Sequence, residues 1–274
     1  MPQVRTVIKY PGAKWRVADW IIALMPPHKS YMEPFFGSGA VFFRKPPSRI
    51  ETINDADGEI VNLFTCIRER PEVLARAVAL TPYSREEYEK TWSALDEGLA
   101  GELDPVERAR RTLIRYWQTH GSCSYYKSGW KNDLAGREYA YAVRYWNQLP
   151  AWITDAVGRL KEAQIEHGNG IDIIRRFRSA DVLIYADPPY LLSTRKQRQY
   201  MVEMDTDEQH IELLKALLDH PGPVMLSGYD NELYNDTLTG WTKLQRPTQC
   251  EKGGRRTETL WLNFSPEEAA GHDE

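Results

Sequence analysis

The chain has 274 residues, 42% hydrophobic and 27% charged, the composition of an ordinary soluble globular protein. That length suits one large domain, or a domain with a sizeable insertion; no apolar run approaches the ~20 residues of a membrane span. The net charge of -4 does not announce a nucleic-acid binder, and three scattered cysteines argue against a disulfide framework or a zinc site.

The cysteines, Cys66, Cys123 and Cys250, instead suit a reducing, cytoplasmic compartment, and the amino terminus lacks the order of a signal peptide. The charge is unevenly spread. Between Arg108 and Arg144 eight basic side chains face only Asp133 and Glu138, whereas Glu86 to Glu107 is strongly acidic. A modest overall charge can therefore hide a basic face.

In chain order, Ile8 to Trp15 places a Pro11-Gly12 turn ahead of an amphipathic stretch, Trp15 to Met25, which stops before Pro26-Pro27. Read as loop then helix, it sets Tyr10 and Lys14 near a helix amino terminus, a favourable seat for an anionic group. A plain turn entering a surface helix is the alternative. Tyr31 to Phe43 reads as a short strand, a Gly37-Ser38-Gly39 turn and a helix start. Glycines there let backbone amides approach a ligand without a Cβ in the way, although the third glycine of a dinucleotide fingerprint is missing. Ile50 to Asp55 is a second strand ending in an acid. That carboxylate suits ribose hydroxyls, or the amino-terminal cap of a helix from Gly58 onward.

Helices then dominate to about Leu160: Val61 to Arg70, Glu72 to Leu80, a capping box at Ser84-Arg85-Glu86-Glu87, and a basic amphipathic Pro105 to Trp117. His120 to Tyr141 interleaves Tyr125, Tyr126, Trp130, Tyr139 and Tyr141 with Lys127, Lys131 and Arg137. With Arg115 on the preceding helix, this mixture suits contact with DNA phosphates and base edges; a helical lid with a solvated face is the other reading. Asn147 to Trp152 leads into another helix.

The α/β pattern returns with strand Ala163 to His167 and a helix opening at Ile171-Asp172-Ile173-Ile174. Ala180 to Ala186 is an apolar, β-branched run that reads as a buried strand. Two prolines cannot continue a ladder, so it stops at Asp187-Pro188-Pro189-Tyr190 and sets an acid and an aromatic at its carboxyl end. Ligands bind at that edge of an open α/β sheet. A basic loop carries Arg195, Lys196 and Arg198, which are expected to contact phosphates. A helix from Asp205 to Leu218, a strand Val224 to Ser227, a short helix Tyr234 to Leu238 and a last strand Thr259 to Phe264 complete the chain.

Lys-Tyr-Pro-Gly-Ala-Lys, Glu-Pro-Phe-Phe-Gly-Ser-Gly, Asn-Asp-Ala-Asp and Asp-Pro-Pro-Tyr, in that order, resemble the Dam-type (alpha-class, D12) adenine-specific DNA methyltransferases. The resemblance covers nearly the whole chain and is least specific in the middle. It implies a Rossmann-like methyltransferase fold: an α/β architecture whose mixed sheet is flanked by helices, residues 1-62 and 161-274 forming the catalytic domain. Residues 63-160 take the place of an inserted, mostly helical target-recognition domain, with a sequence that departs from the pattern of enzymes specific for GATC.

The same resemblance implies S-adenosylmethionine as methyl donor and double-stranded DNA as partner. A sulfonium methyl is already a good electrophile, so no metal is expected, and the lack of a long apolar run leaves no membrane partner expected. Tyr10 and Lys14 match the amino-terminal cofactor segment; Pro34, Phe35, Gly37, Ser38 and Gly39 match the glycine loop; Asp55 matches the ribose acid. Ile171 and Asp172 fall where the family lines the cofactor's adenine, and Asp187, Pro188, Pro189 and Tyr190 match the catalytic motif. The chain is expected to be a monomer or weak dimer, and the sequence leaves open whether a restriction endonuclease accompanies it. Competing readings are transfer to cytosine or RNA amines and a catalytically silent DNA-binding regulator. An intact Asp187 and glycine loop count against the regulator.

Overall fold

A computed structural model describes residues 4-96, 98-122, 126-134, 139-195, 197-249 and 255-269. Helices α1 (Ala18–Ile22), α2 (Ala40–Arg44) and α3 (Gly58–Glu69) alternate with strands β1 (Ser30–Glu33) and β2 (Ile50–Asp55). Four helices follow: α4 (Pro71–Ala79), α5 (Arg85–Asp96), α6 (Pro105–Gln118) and α7 (Tyr141–Lys161). Then come β3 (Ala163–His167), α8 (Gly170–Arg176), β4 (Val182–Ala186), α9 (Asp207–Leu218), β5 (Val224–Gly228) and α10 (Glu232–Thr237). An antiparallel hairpin, β6 (Thr242–Gln249) and β7 (Arg255–Leu262), and the short α11 (Pro266–Ala269) close the described chain. None of its helices is long and apolar enough to cross a membrane.

The strands form one seven-stranded sheet in the order β3-β2-β1-β4-β5-β7-β6, parallel except for β7 against β5 and β6 against β7. The chain winds outward from β1 through β2 to β3, then crosses back to place β4 on the other side of β1. The switch point therefore lies between the carboxyl ends of β1 and β4, where such sheets open a crevice. All five residues of β4 are buried, as expected of a parallel strand with both faces covered.

Alternate residues feed two cores. Tyr31, Ile53, Leu183 and Tyr185 point to one face; Met32, Val182, Ile184 and Ala186 to the other, which α8, α9 and α10 cover. The first cluster continues without a break through α3 into α4, α5, α6 and α7, so the helical segment shares its core with the sheet. A buried charge network ties the two: Arg159 of α7 donates to Glu51 Oε2 of β2 at 2.5 Å and to the Phe42 carbonyl at 3.0 Å. Lys45 reaches the other oxygen of Glu51 at 2.5 Å.

Several elements differ from sequence expectation. The first helix spans only Ala18–Ile22, for its amino-terminal residue Val17 offers no side-chain cap. Helix α7 runs through Pro150 rather than starting after it, because Trp146, Leu149, Trp152 and Ile153 bury one stripe across the proline. The last strand begins at Arg255 rather than Thr259 and pairs with β6, a strand not expected from the sequence. Strand β6 contains Pro247 but is the sheet edge, where a missing donor is tolerated.

Candidate active site

The site is assembled by loops at the carboxyl ends of β1, β2, β3 and β4. After β1, the Phe36 amide donates to the Asn54 carbonyl at 2.9 Å. The Asn54 side chain donates to the carbonyls of Pro34 at 2.9 Å and Gly168 at 3.0 Å, fastening three loops together. Gly37 and Gly39 hold positive φ of 49° and 64°. Aromatic packing adds a second reason for glycine: a Cβ on Gly37 would stand 2.9 Å from the Tyr10 ring, and one on Gly39 2.4 Å from the Phe36 ring. The glycines thus serve close ring packing, beyond the ligand approach expected of them.

Asp55, at the end of β2, accepts from the Gly37 amide at 2.8 Å and the Asp57 amide at 2.9 Å. Burial, against those donors, pushes its carboxyl up to about 7. The capping role foreseen for it belongs to Asp57, whose Oδ1 accepts from the Glu59 amide at 2.9 Å and starts α3. After β3, Asn169 caps α8 by accepting the Ile171 amide, and Gly170 lies against the Phe35 ring.

Beyond β4 the prolines end the ladder and Asp187 enters the crevice. Its Oδ1 stands 2.8 Å from Lys14 Nζ, which also donates to the Gly12 carbonyl at 2.8 Å. Burial alone would lower the Lys14 ammonium, but Asp187 and Glu258 hold it above the ordinary lysine range. Glu258 of β7 lies 3.8 Å from the same nitrogen and accepts the Tyr190 hydroxyl. Glu33, bonded by Tyr31 at 2.8 Å, is pushed up to about 8 by burial, with the nearby Asp187 charge adding to the effect. The Tyr190 ring is buried, with the edge-on Tyr229 ring 4.7 Å away and Lys14 4.9 Å from its centroid.

A strap formed by residues after Tyr190 crosses the crevice. Arg195 and Glu203 make a buried ion pair at 2.6 Å, and Glu203 also accepts the amides of Gln199 and Tyr200. Tyr200 stacks on Tyr10 at 5.5 Å, and Tyr10 meets Tyr116 of α6 at 5.6 Å. Under the strap lies a cavity of about 500 Å³, lined by Tyr10, Lys14, Phe35, Gly37, Ser38 and Asp55, and further by Ile171, Pro189 and Asp187. Asn169, Glu33 and Tyr200 also line it, and the sequence reading missed them.

Not every expected residue reaches the cavity. Asp172 is exposed and pairs with Arg175 at 3.5 Å, because it points away from the capped start of α8. Pro34, Gly39, Pro188 and Tyr190 do not line the cavity. Of the basic residues expected at DNA, Arg115 is buried within α6 and Arg195 is buried against Glu203, so neither faces a phosphate here. Lys127 pairs with Glu89, Arg198 with Asp205, and the Tyr126 hydroxyl accepts from Gln197 at 2.9 Å. Lys131 accepts the Tyr83 hydroxyl through its carbonyl. Tyr125, Arg137 and Lys196 lie outside the described residues.

The cavity offers apolar and aromatic walls for a flat base, an acid beside a backbone amide for vicinal hydroxyls, and two carboxyl groups toward a cationic arm. Its volume lies in the range of small-molecule sites, roughly 300–1,000 Å³. These donors fit S-adenosylmethionine.

A sheet of this order, with a glycine loop after β1 and Asp-Pro-Pro-Tyr after β4, defines a Rossmann-like methyltransferase. The chain belongs to the D12 class N6 adenine-specific DNA methyltransferases, whose family model matches residues 10–250. It is 25% identical to DNA adenine methylase of Escherichia coli (strain K12) over 93% of this chain and 93% of that protein. It is 28% identical to Type II methyltransferase M1.LlaDCHI of Lactococcus lactis subsp. cremoris, over 95% of this chain and 96% of that one. It is thus an adenine-specific DNA methyltransferase.

Proposed function

We propose that the protein methylates the N6 amine of an adenine turned out of duplex DNA, using S-adenosylmethionine held in the cavity between β1 and β4. When bound, the sulfonium supplies a methyl group already activated for in-line transfer. Asp55, beside the Gly37 amide, accepts the ribose hydroxyls. Phe35 and Ile171 flank the cofactor's base, and Glu33 and Asp187 present acceptors toward its charged end.

An aryl amine is a poor nucleophile because its lone pair is delocalised into the ring. The carboxylate of Asp187 and the carbonyl of Pro188 accept the amine's hydrogens, localise that pair and stabilise the positive charge that grows on nitrogen. Tyr190 supplies an aromatic wall for the everted base. Residues 63-160 act as the target-recognition segment against the catalytic residues 1-62 and 161-274. Tyr126, Lys127, Lys131 and Arg198 lie on loops that meet DNA, where Lys127 and Arg198 exchange an acidic neighbour for a phosphate.

One observation carries this reading: the Asp187 carboxylate and the Gly37 loop line a single cavity. Duplex DNA incubated with the protein and isotopically labelled S-adenosylmethionine, then digested to nucleosides, is expected to yield labelled N6-methyladenine by mass spectrometry. Label on cytosine, or no label in DNA while RNA offered in a parallel reaction is labelled, would overturn the proposal.

A further inference from the structure

Glu258 sits in β7, remote in sequence from every motif described above, yet it is buried at the centre of the charge cluster. A carboxylate on an inward position of a strand is costly unless its charge is matched. Here one oxygen, Oε1, serves two partners: it accepts the Tyr190 hydroxyl and stands 3.8 Å from Lys14 Nζ. The same ammonium lies 2.8 Å from Asp187 Oδ1 and 4.9 Å from the Tyr190 ring. Lys14 thus occupies one oxygen of the acceptor and stands over the aromatic face that an incoming amine requires. An ammonium buried this deeply cannot let go of Asp187 unless another anion receives it.

We infer that Glu258 is a positioning residue for methyl transfer: it anchors Tyr190 and offers Lys14 a second carboxylate, freeing Asp187 for the target amine. The inference rests on the methyltransferase reading above. Lys14 travels the short distance from one carboxylate toward the other and remains paired throughout. Tyr190, held by its hydroxyl, keeps its ring in place while Lys14 moves. Neither part of the role requires Glu258 to touch substrate or cofactor.

Glu258→Gln keeps an oxygen for Tyr190 but removes the charge that receives Lys14; Tyr190→Phe keeps the charge and removes the anchored hydroxyl. For Glu258→Gln, kcat for DNA methylation is expected to fall about 10- to 100-fold, with KM for DNA nearly unchanged. Binding of S-adenosylmethionine by equilibrium dialysis should stay within about threefold, and the unfolding temperature close to wild type. A merely structural glutamate would lower all of these together. A Glu258→Gln variant with wild-type kcat, or one whose loss follows weaker cofactor binding or a lowered unfolding temperature, overturns the assignment. Should Glu258→Gln fail to fold, Tyr190→Phe decides: a fall in kcat with cofactor binding kept supports the anchor, and an unchanged kcat overturns it. Wild-type protein that makes no N6-methyladenine in the same assay removes the methyltransferase reading and this assignment with it. Product from wild type beside an unimpaired Glu258→Gln removes the assignment alone.

Discussion

Asp187 and Lys14 face each other at 2.8 Å across the crevice, one from the end of β4 and the other from the turn near the amino terminus. Both line the cavity, and they come from segments more than a hundred residues apart.

Replacing Asp187 by Ala removes the acceptor for the amine. Methylation is expected to fall by at least ~100-fold, while binding of S-adenosylmethionine persists. Stability should drop by less than the ~3–5 kcal/mol of a stranded buried charge, since Glu258 stands 3.8 Å from the ammonium left behind. Single-turnover kinetics and thermal unfolding check both halves. Substantial residual activity would remove Asp187 from the chemistry.

Gly39 has φ 64°, and a Cβ there would lie 2.4 Å from the Phe36 ring. Gly39→Ala combines a left-handed alanine, about 1–2 kcal/mol, with displacement of a core ring. A loss of about 2–4 kcal/mol by urea titration is expected, with weaker cofactor binding. A variant as stable as wild type would show that the ring can move aside.

Burial pushes Asp55 up to about 7, whereas an unfolded aspartate ionises near 3.8. Between those values the folded protein holds a proton that the unfolded chain has lost, so stability falls as pH rises through this window and levels above it. Glu33, pushed up to about 8 by burial, adds a slope of the same sign. Cofactor affinity should run the other way, rising between about pH 6 and 8 as Asp55 ionises and becomes the better acceptor. Asp55→Asn is expected to flatten that rise in calorimetric titrations; a rise that persists would assign it to another group.

Glu51 is the shared anion of Lys45 and Arg159, all three nearly inaccessible to solvent. Glu51→Ala leaves two buried cations and should cost at least ~3–5 kcal/mol in urea unfolding. Arg159→Met leaves the Lys45 pair intact and should cost less.

Arg195→Ala breaks the buried pair with Glu203 and loosens the strap over the cavity. Cofactor binding should weaken while the salt dependence of DNA binding stays as in wild type. Arg198→Ala and Lys127→Ala should each lower the slope of log K against log salt by roughly 1. A reduced slope for Arg195→Ala would return that side chain to the DNA.

Strand β4 was legible because a parallel strand covered on both faces leaves a continuous apolar run. The edge strand β3 spans the residues predicted for it, whereas β6, at the other edge, was not read as a strand. The acid after β2 and the motif after β4 were legible because each marks a strand end. Glu258 was not, since a lone glutamate in an alternating strand acquires meaning only from Tyr190, sixty-eight residues away. Asn169 went unread, yet the turn in which it caps α8 carries it to the cavity wall, whereas acidic Asp172 points out. Charge misled at Arg115 and Arg195, because a count of basic residues carries no information about which of them the core encloses.

The unbroken packing between the sheet and helices α4 to α7 limits how those helices can be exchanged for others. Helices transplanted from a relative would arrive without Arg159, leaving Glu51 with Lys45 alone, and with a stripe shaped for a different floor. A workable chimera has to carry an arginine at the Arg159 position to meet Glu51, or confine its changes to the loops between the helices.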